Sequence, residues 1–165
     1  MIDAAGQALL QDIVRRESRS LLQYISEAFP WTTREERAAL ATLQGMIDEE
    51  RRNAAALGQF LVRRKIGVPY LGPYPVSFTS MNYLSLDYLL PRLVEYQHRA
   101  IRQLQADLRT LSDMDATEQV ERILNAKRRH LQILEGLAAE HAAAVALSPQ
   151  GPSIKKPLEP ATAAP

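Results

Sequence analysis

The chain contains no cysteine, which excludes disulfide staples, thiolate metal sites and thiol chemistry. Its formal net charge is only +1, so no global field draws it to nucleic acid or to an anionic membrane. Basic clusters do occur, at Arg15-Arg16, Arg51-Arg52, Arg63-Arg64-Lys65 and Arg128-Arg129. They fall in different segments and are diluted by Asp and Glu, the pattern of solvated surface rather than of a nucleic-acid patch. No uninterrupted apolar run is long enough to span a bilayer. The N-terminus lacks the pattern of a signal peptide, so a cytoplasmic location is the expectation. Nothing resembles a nucleophile-base pair or a phosphate-binding loop, and Gly72-Pro73 reads as a turn.

What is present favours helix. Ala, Leu, Arg, Gln and Glu dominate the 165 residues, and these side chains lose little rotamer freedom in a helix. The length suits one domain with a real core. Apolar periodicity predicts a first helix over about Asp3 to Phe29, ended by Pro30-Trp31. A second starts near Thr32 or Thr33, with Glu35 and Glu36 placed for a capping box, and runs to about Ile66 before Gly67 and Pro69. A third starts at Ser85 and runs to about Leu111; Pro91 is tolerable near its start or kinks it. A fourth, capped by Asp115 or Thr117, runs to about Leu147. Residues 1–147 thus form an all-α domain, and residues 148–165 read as a disordered Pro/Ala-rich tail.

Between the second and third helices lies Gly67 to Leu84, with three prolines, two glycines and several aromatics. Its apolar side chains predict a segment packed along a surface. Fully extended, it reaches roughly 60 Å, ample to travel the length of a ~40 Å helix. Two antiparallel helical hairpins joined by one long crossover is the connectivity of ferritin-like bundles.

Each apolar stripe is interrupted once near mid-height. Glu17 interrupts Leu10, Val14, Leu21, Tyr24 and Ala28. Glu50 interrupts Leu43, Met46, Ile47, Ala54, Leu57 and Leu61. Gln97 lies among Leu86, Leu90, Leu93, Leu104 and Leu108, and Lys127 among Val120, Ile123, Leu131, Leu134 and Ala138. Asn53 and His130, nearly one turn on, join the same neighbourhood. These residues predict a buried polar layer of Glu17, Tyr24, Glu50, Asn53, Gln97, Lys127 and His130. Unpaired buried charges cost several kcal/mol each, so its members either bind metal or pair with one another.

These residues carry a resemblance to ferritin-like di-iron proteins, most closely bacterioferritin, over roughly residues 3 to 147. That family places a Glu on each of two helices and a Glu-x-x-His pair on each of the other two. Glu17 matches the lone Glu of the first helix, and Tyr24 a tyrosine often found beside the site. Glu50-Arg51-Arg52-Asn53 matches the second-helix motif with Asn for His. Gln97 takes the third-helix Glu position, and Lys127-Arg128-Arg129-His130 matches the fourth-helix motif with Lys for Glu. Arg51 stands where the haem-binding methionine of bacterioferritin would be, which argues against haem. The resemblance leaves Glu17, Glu50 and His130 as candidate metal ligands. A protonated Lys127 offers no lone pair and repels a cation; its ammonium would stand where a metal stands, bridging Glu17 and Glu50. Two carboxylates and one lysine leave one negative charge, for a protonated His130 or Glu to absorb.

Three arrangements follow: a metal-free polar core, a single bound iron or other divalent metal, or an active di-iron centre. The functional expectation is a ferritin-like module with an altered, non-ferroxidase centre, no cofactor and a structural or partner-binding role. The alternative is an iron-handling protein or ferroxidase-like oxidase with a rebuilt site. The Ala-rich stretch Ala138 to Ala146 suggests homo-oligomerisation, and the tail around Ser153 to Leu158 a protein-docking peptide. His98 and His141 show no metal-like partners at useful spacing and read as surface or interface residues.

Overall fold

The computed structural model describes residues 2–28 and 30–147. The chain is mostly helical there: α1 (Ala4–Ser18), α2 (Leu21–Ile25), α3 (Arg37–Arg63), α4 (Leu86–Leu108) and α5 (Met114–Leu147), with a 3₁₀ segment over Val76–Met81 in the crossover. Among the described residues there is no strand, only an isolated parallel bridge between Trp31 and Ser85. The expected tail lies outside the described residues, as does Phe29.

The first expected helix is two helices. Asp3 caps α1 by accepting the Gly6 backbone N–H, and the helix ends at Ser18. Ser20 then adopts an extended conformation, and its hydroxyl oxygen accepts the Gln23 N–H to start α2. A serine at this position competes with helix continuation because its hydroxyl offers the backbone another partner. The α3 helix also starts later than the capping-box reading predicts, at Arg37. Glu36 still reaches back to accept the Thr33 N–H, but the other half of the box, a threonine side-chain cap, is missing. The end of α3 is set before Gly67. Lys65 takes the left-handed conformation (φ 57°), and the N–H groups of Lys65 and Ile66 return to the carbonyls of Val62 and Leu61, a Schellman motif with Lys at the position usually held by Gly. Asp113, rather than Asp115 or Thr117, caps α5 through the Ala116 N–H.

The buried apolar side chains divide into two clusters. One holds Leu10, Ile13 and Val14 of α1, Leu57 and Leu61 of α3, Ile101 and Leu104 of α4, and Val120, Ile123 and Leu124 of α5. The other holds Leu21, Leu22 and Ile25 of α2, Leu43 and Ile47 of α3, Leu86, Leu90 and Leu93 of α4, and Leu134 of α5. In residue number, Glu17, Glu50, Gln97 and Lys127 each fall between the two clusters on their own segment, and all four are buried. It follows that α1 and α5 run from the first cluster to the second, and α3 and α4 run the opposite way. The chain leaves α3 at one end and must enter α4 at the other, which is the task of the crossover.

That crossover is fastened along α1. Gln11, Arg15 and Arg19, spaced one turn apart, donate to the carbonyls of Gly67, Tyr70 and Gly72. Further on, Phe78 is buried against Tyr24 and Tyr96. The Tyr83 N–H donates to the Ala28 carbonyl and the Trp31 N–H to the Leu84 carbonyl, tying the end of the crossover to the chain that follows α2. Gly72 takes the left-handed conformation (φ 66°), which a residue without Cβ adopts at little cost, and Tyr83 near the end of the crossover takes it too (φ 57°).

Candidate functional site: a lysine between two carboxylates

Three helices deliver the centre of the polar layer. Lys127 Nζ, on α5, lies 2.8 Å from Glu17 Oε2 on α1 and 2.7 Å from Glu50 Oε1 on α3. The lysine is 1% exposed and both glutamates 5%, so none of the three reaches bulk water to be solvated. Ser20 donates its hydroxyl to the second oxygen of Glu50 at 2.7 Å. The same hydroxyl oxygen caps α2, so the break between α1 and α2 and the centre share one side chain. On α4, the buried Gln97 donates to the Lys127 carbonyl at 3.4 Å; it tethers the α5 backbone rather than the ammonium.

His130 is equally buried but faces another partner. Its Nε2 is 2.8 Å from Glu49 Oε2, and Arg129 donates to the other Glu49 oxygen. Its Nδ1 lies 3.9 Å from Glu50 Oε1, beyond hydrogen-bond reach, and is a buried nitrogen without a hydrogen-bond partner. Tyr24 is buried, yet its hydroxyl donates to Asn82 of the crossover at 2.6 Å and serves to seat that segment. Asn53 is half-buried and lines a surface depression with Glu49, Glu121 and Arg129. Glu17, Glu50 and Lys127 therefore meet directly, Gln97 and His130 flank them, and Tyr24 and Asn53 point to neighbouring environments.

The electrostatics follow from this geometry. With all three ionised, the two carboxylates and one ammonium leave an excess negative charge in a buried site, which favours protonation of one carboxylate. Burial by itself would raise Glu50, but the Lys127 ammonium, the His130 ring and the Ser20 hydroxyl outweigh it and bring the carboxyl down to about 2. Glu17 is raised instead: burial is the larger effect, Lys127 offsets it only in part, and Glu50 adds to it. Lys127 is raised although burial opposes it, because both glutamates favour its charged form. The core is thus a Lys127–Glu50 ion pair with Glu17 as the member that most readily takes a proton. Glu17 also faces a cavity of about 210 Å³ lined by Arg16, Ser20, Tyr96, Arg99 and Gln103. Burial raises Tyr96 at this cavity as well.

A pair of metal ions does not fit this donor set. A cation held by Glu17 and Glu50 at roughly 2.0–2.2 Å from their oxygens would compete for the space the Lys127 ammonium occupies. On α4, Gln97 donates its amide elsewhere, and α5 presents that same ammonium rather than a carboxylate.

Sequence reading missed Ser20, Glu49 and Tyr96. Ser20 was legible in principle, one turn after Glu17 on the same face. The pairing of Glu49 with His130 was not, since the two are separated by 81 positions and no spacing rule connects them. Comparison with protein-family models, with curated proteins and with solved structures finds no match to this chain.

Proposed function

We propose that this chain is a ferritin-like four-helix bundle whose centre is closed by an internal cation, and that it acts as a structural or partner-binding module rather than as a ferroxidase. The observation that carries this reading is the position of Lys127, within 2.8 Å of both Glu17 and Glu50. There its ammonium neutralises the carboxylates that would otherwise hold metal. The helix directions and the single long crossover support the same family, since ferritin-like bundles use one long connection between two helical pairs. A cation built into the core makes folding independent of metal supply and leaves the outer surface to carry function.

The test is iron loading. Protein incubated anaerobically with ferrous iron and then gel-filtered should retain no iron that is lost again in a Glu50→Gln variant. Near-stoichiometric iron that depends on Glu50, together with oxygen-dependent ferrous oxidation, would refute the proposal. The converse variant, Lys127→Glu, restores a carboxylate at the fourth-helix position and should bind ferrous iron or zinc at least tenfold more tightly than the unaltered protein. No gain in affinity would remove the idea that the lysine stands in for a metal.

One observation favours a second reading, a mononuclear metal site. His130 Nδ1 is buried, unpartnered and directed toward Glu50, while its Nε2 is held by Glu49. A metal-ligating histidine is oriented in that way by a carboxylate on its other nitrogen. This arrangement requires Lys127 to withdraw, and it is the reading that Glu50-dependent iron binding would select.

A further inference from the structure

At the far end of the second apolar cluster, three residues from three segments converge. Glu36 lies in the turn that leads into α3, Asp87 in the first turn of α4, and His141 near the end of α5. His141 Nε2 is 2.6 Å from Glu36 Oε1 and 3.8 Å from Asp87 Oδ1. One nitrogen and two oxygens, one from each residue, all lie within 4.8 Å of one another. We propose that Glu36, Asp87 and His141 form a binding site for a divalent first-row metal ion, of which zinc is the best fit.

The geometry is close to what such an ion needs. Ligand atoms about 2.0–2.2 Å from a tetrahedral zinc stand roughly 3.3–3.5 Å apart, between the two distances already present. Glu36 would move back and Asp87 in, and Asp87 is exposed enough to do so. The charges also call for a cation. Among the described residues, neither carboxylate has a Lys or Arg ion pair; His141 is the only basic partner of each. A dication would balance the two carboxylates. Imidazole with carboxylate oxygens, and no sulfur, suits zinc or ferrous iron, whereas magnesium and calcium take all-oxygen sites.

The ligands are also held in place. Glu36 accepts the Thr33 N–H with Oε2, leaving Oε1 to face His141. That contact and the imidazole hold its carboxyl below the ordinary range although partial burial pushes it up. The Trp31 N–H to Leu84 carbonyl bond and the bridge from Trp31 to Ser85 fasten the Glu36 turn beside the start of α4. A bound ion would then join α3, α4 and α5 at one end of the bundle, away from Lys127.

The experiment is titration of the full chain with zinc, followed by competition with a chromophoric chelator, and with cobalt(II) as a spectroscopic substitute. One equivalent should bind, and cobalt should give a visible band of low-symmetry, nitrogen-containing coordination. His141→Ala and Asp87→Asn should each weaken zinc at least tenfold, whereas the triple variant Lys127→Met, Glu17→Gln and Glu50→Gln, which leaves no unpaired charge in the core, should leave it unchanged. Excess magnesium should not compete. Absence of stoichiometric binding, meaning that His141 and Glu36 form a hydrogen-bonded pair and nothing more, would overturn the proposal. So would zinc that survives His141→Ala but is lost with Glu50, since that metal belongs to the centre. Circular dichroism of each variant separates lost affinity from lost fold.

Discussion

Replacing Lys127 with methionine is the sharpest perturbation of the core. Methionine keeps most of the lysine's volume, so little cavity is created, and the change isolates the charge. Lys127 lies 2.8 Å from Glu17 and 2.7 Å from Glu50. At an effective dielectric of about 20, each contact is worth roughly 6 kcal/mol of attraction, set against desolvation of three charges and repulsion between the carboxylates. What the variant exposes is that second set of terms. Two buried carboxylates then share a site without a counter-ion, and breaking a buried pair in this way costs about 3–5 kcal/mol. Urea unfolding followed by circular dichroism at pH 7 should show that loss. It should shrink on acidification, because the lysine-free carboxylates escape their repulsion by taking up protons. Adding Glu17→Gln and Glu50→Gln to Lys127→Met should recover most of the stability, since no buried charge then remains. A loss below about 1 kcal/mol for the single variant at pH 7, or a triple variant no more stable than the single, would refute the assignment of Lys127 as the counter-ion of the core.

Glu17 and Glu50 should respond to pH with opposite signs. The Glu17 carboxyl is raised above 4.5, so its contribution to stability is fully present below that value and is lost as pH rises through its folded-state value. Glu17→Gln, which stays neutral, should therefore be more stable than the unaltered protein at pH 7.5 and lose that advantage near pH 4.5, as read from urea midpoints across the range. A Gln variant that is less stable by more than about 1 kcal/mol at pH 7.5 would contradict this. Glu50 is lowered from 4.5 to about 2: its contribution is present above 4.5 and is lost as pH falls toward 2, so Glu50→Gln should cost stability at neutral pH and little at pH 2. At the end of α3, Lys65→Gly should raise stability by about 0.5–1 kcal/mol in the same assay, because glycine adopts the left-handed conformation without Cβ strain; a decrease would show that the Lys65 side chain is needed there.

How much was legible in sequence is clearest on each segment in turn. The 3.6-residue apolar period located the long helices. One polar residue per stripe marked Glu17, Glu50, Gln97 and Lys127, because a helix folds its sequence spacing onto a face without help from the rest of the chain. The prolines and glycines of Gly67 to Leu84 marked a non-helical connection for an equally local reason: proline lacks the N–H a helix needs. The break at Ser20 was not legible, since the periodicity runs through it. Its hydroxyl is committed to Glu50, 30 positions away, and to the start of α2.

Composition and local periodicity by themselves determined that this chain is helical, roughly where its three longest helices lie and which faces they bury, because these depend on contacts within a few turns. Lys127 between Glu17 and Glu50 was also within reach of that reading, but only the tertiary structure decided the other partners. It gave His130 to Glu49 and Tyr24 to Asn82, and gathered Glu36, Asp87 and His141 at one end. Those contacts join residues tens of positions apart, and their geometry depends on how the helices are set against one another, which no spacing along the chain encodes.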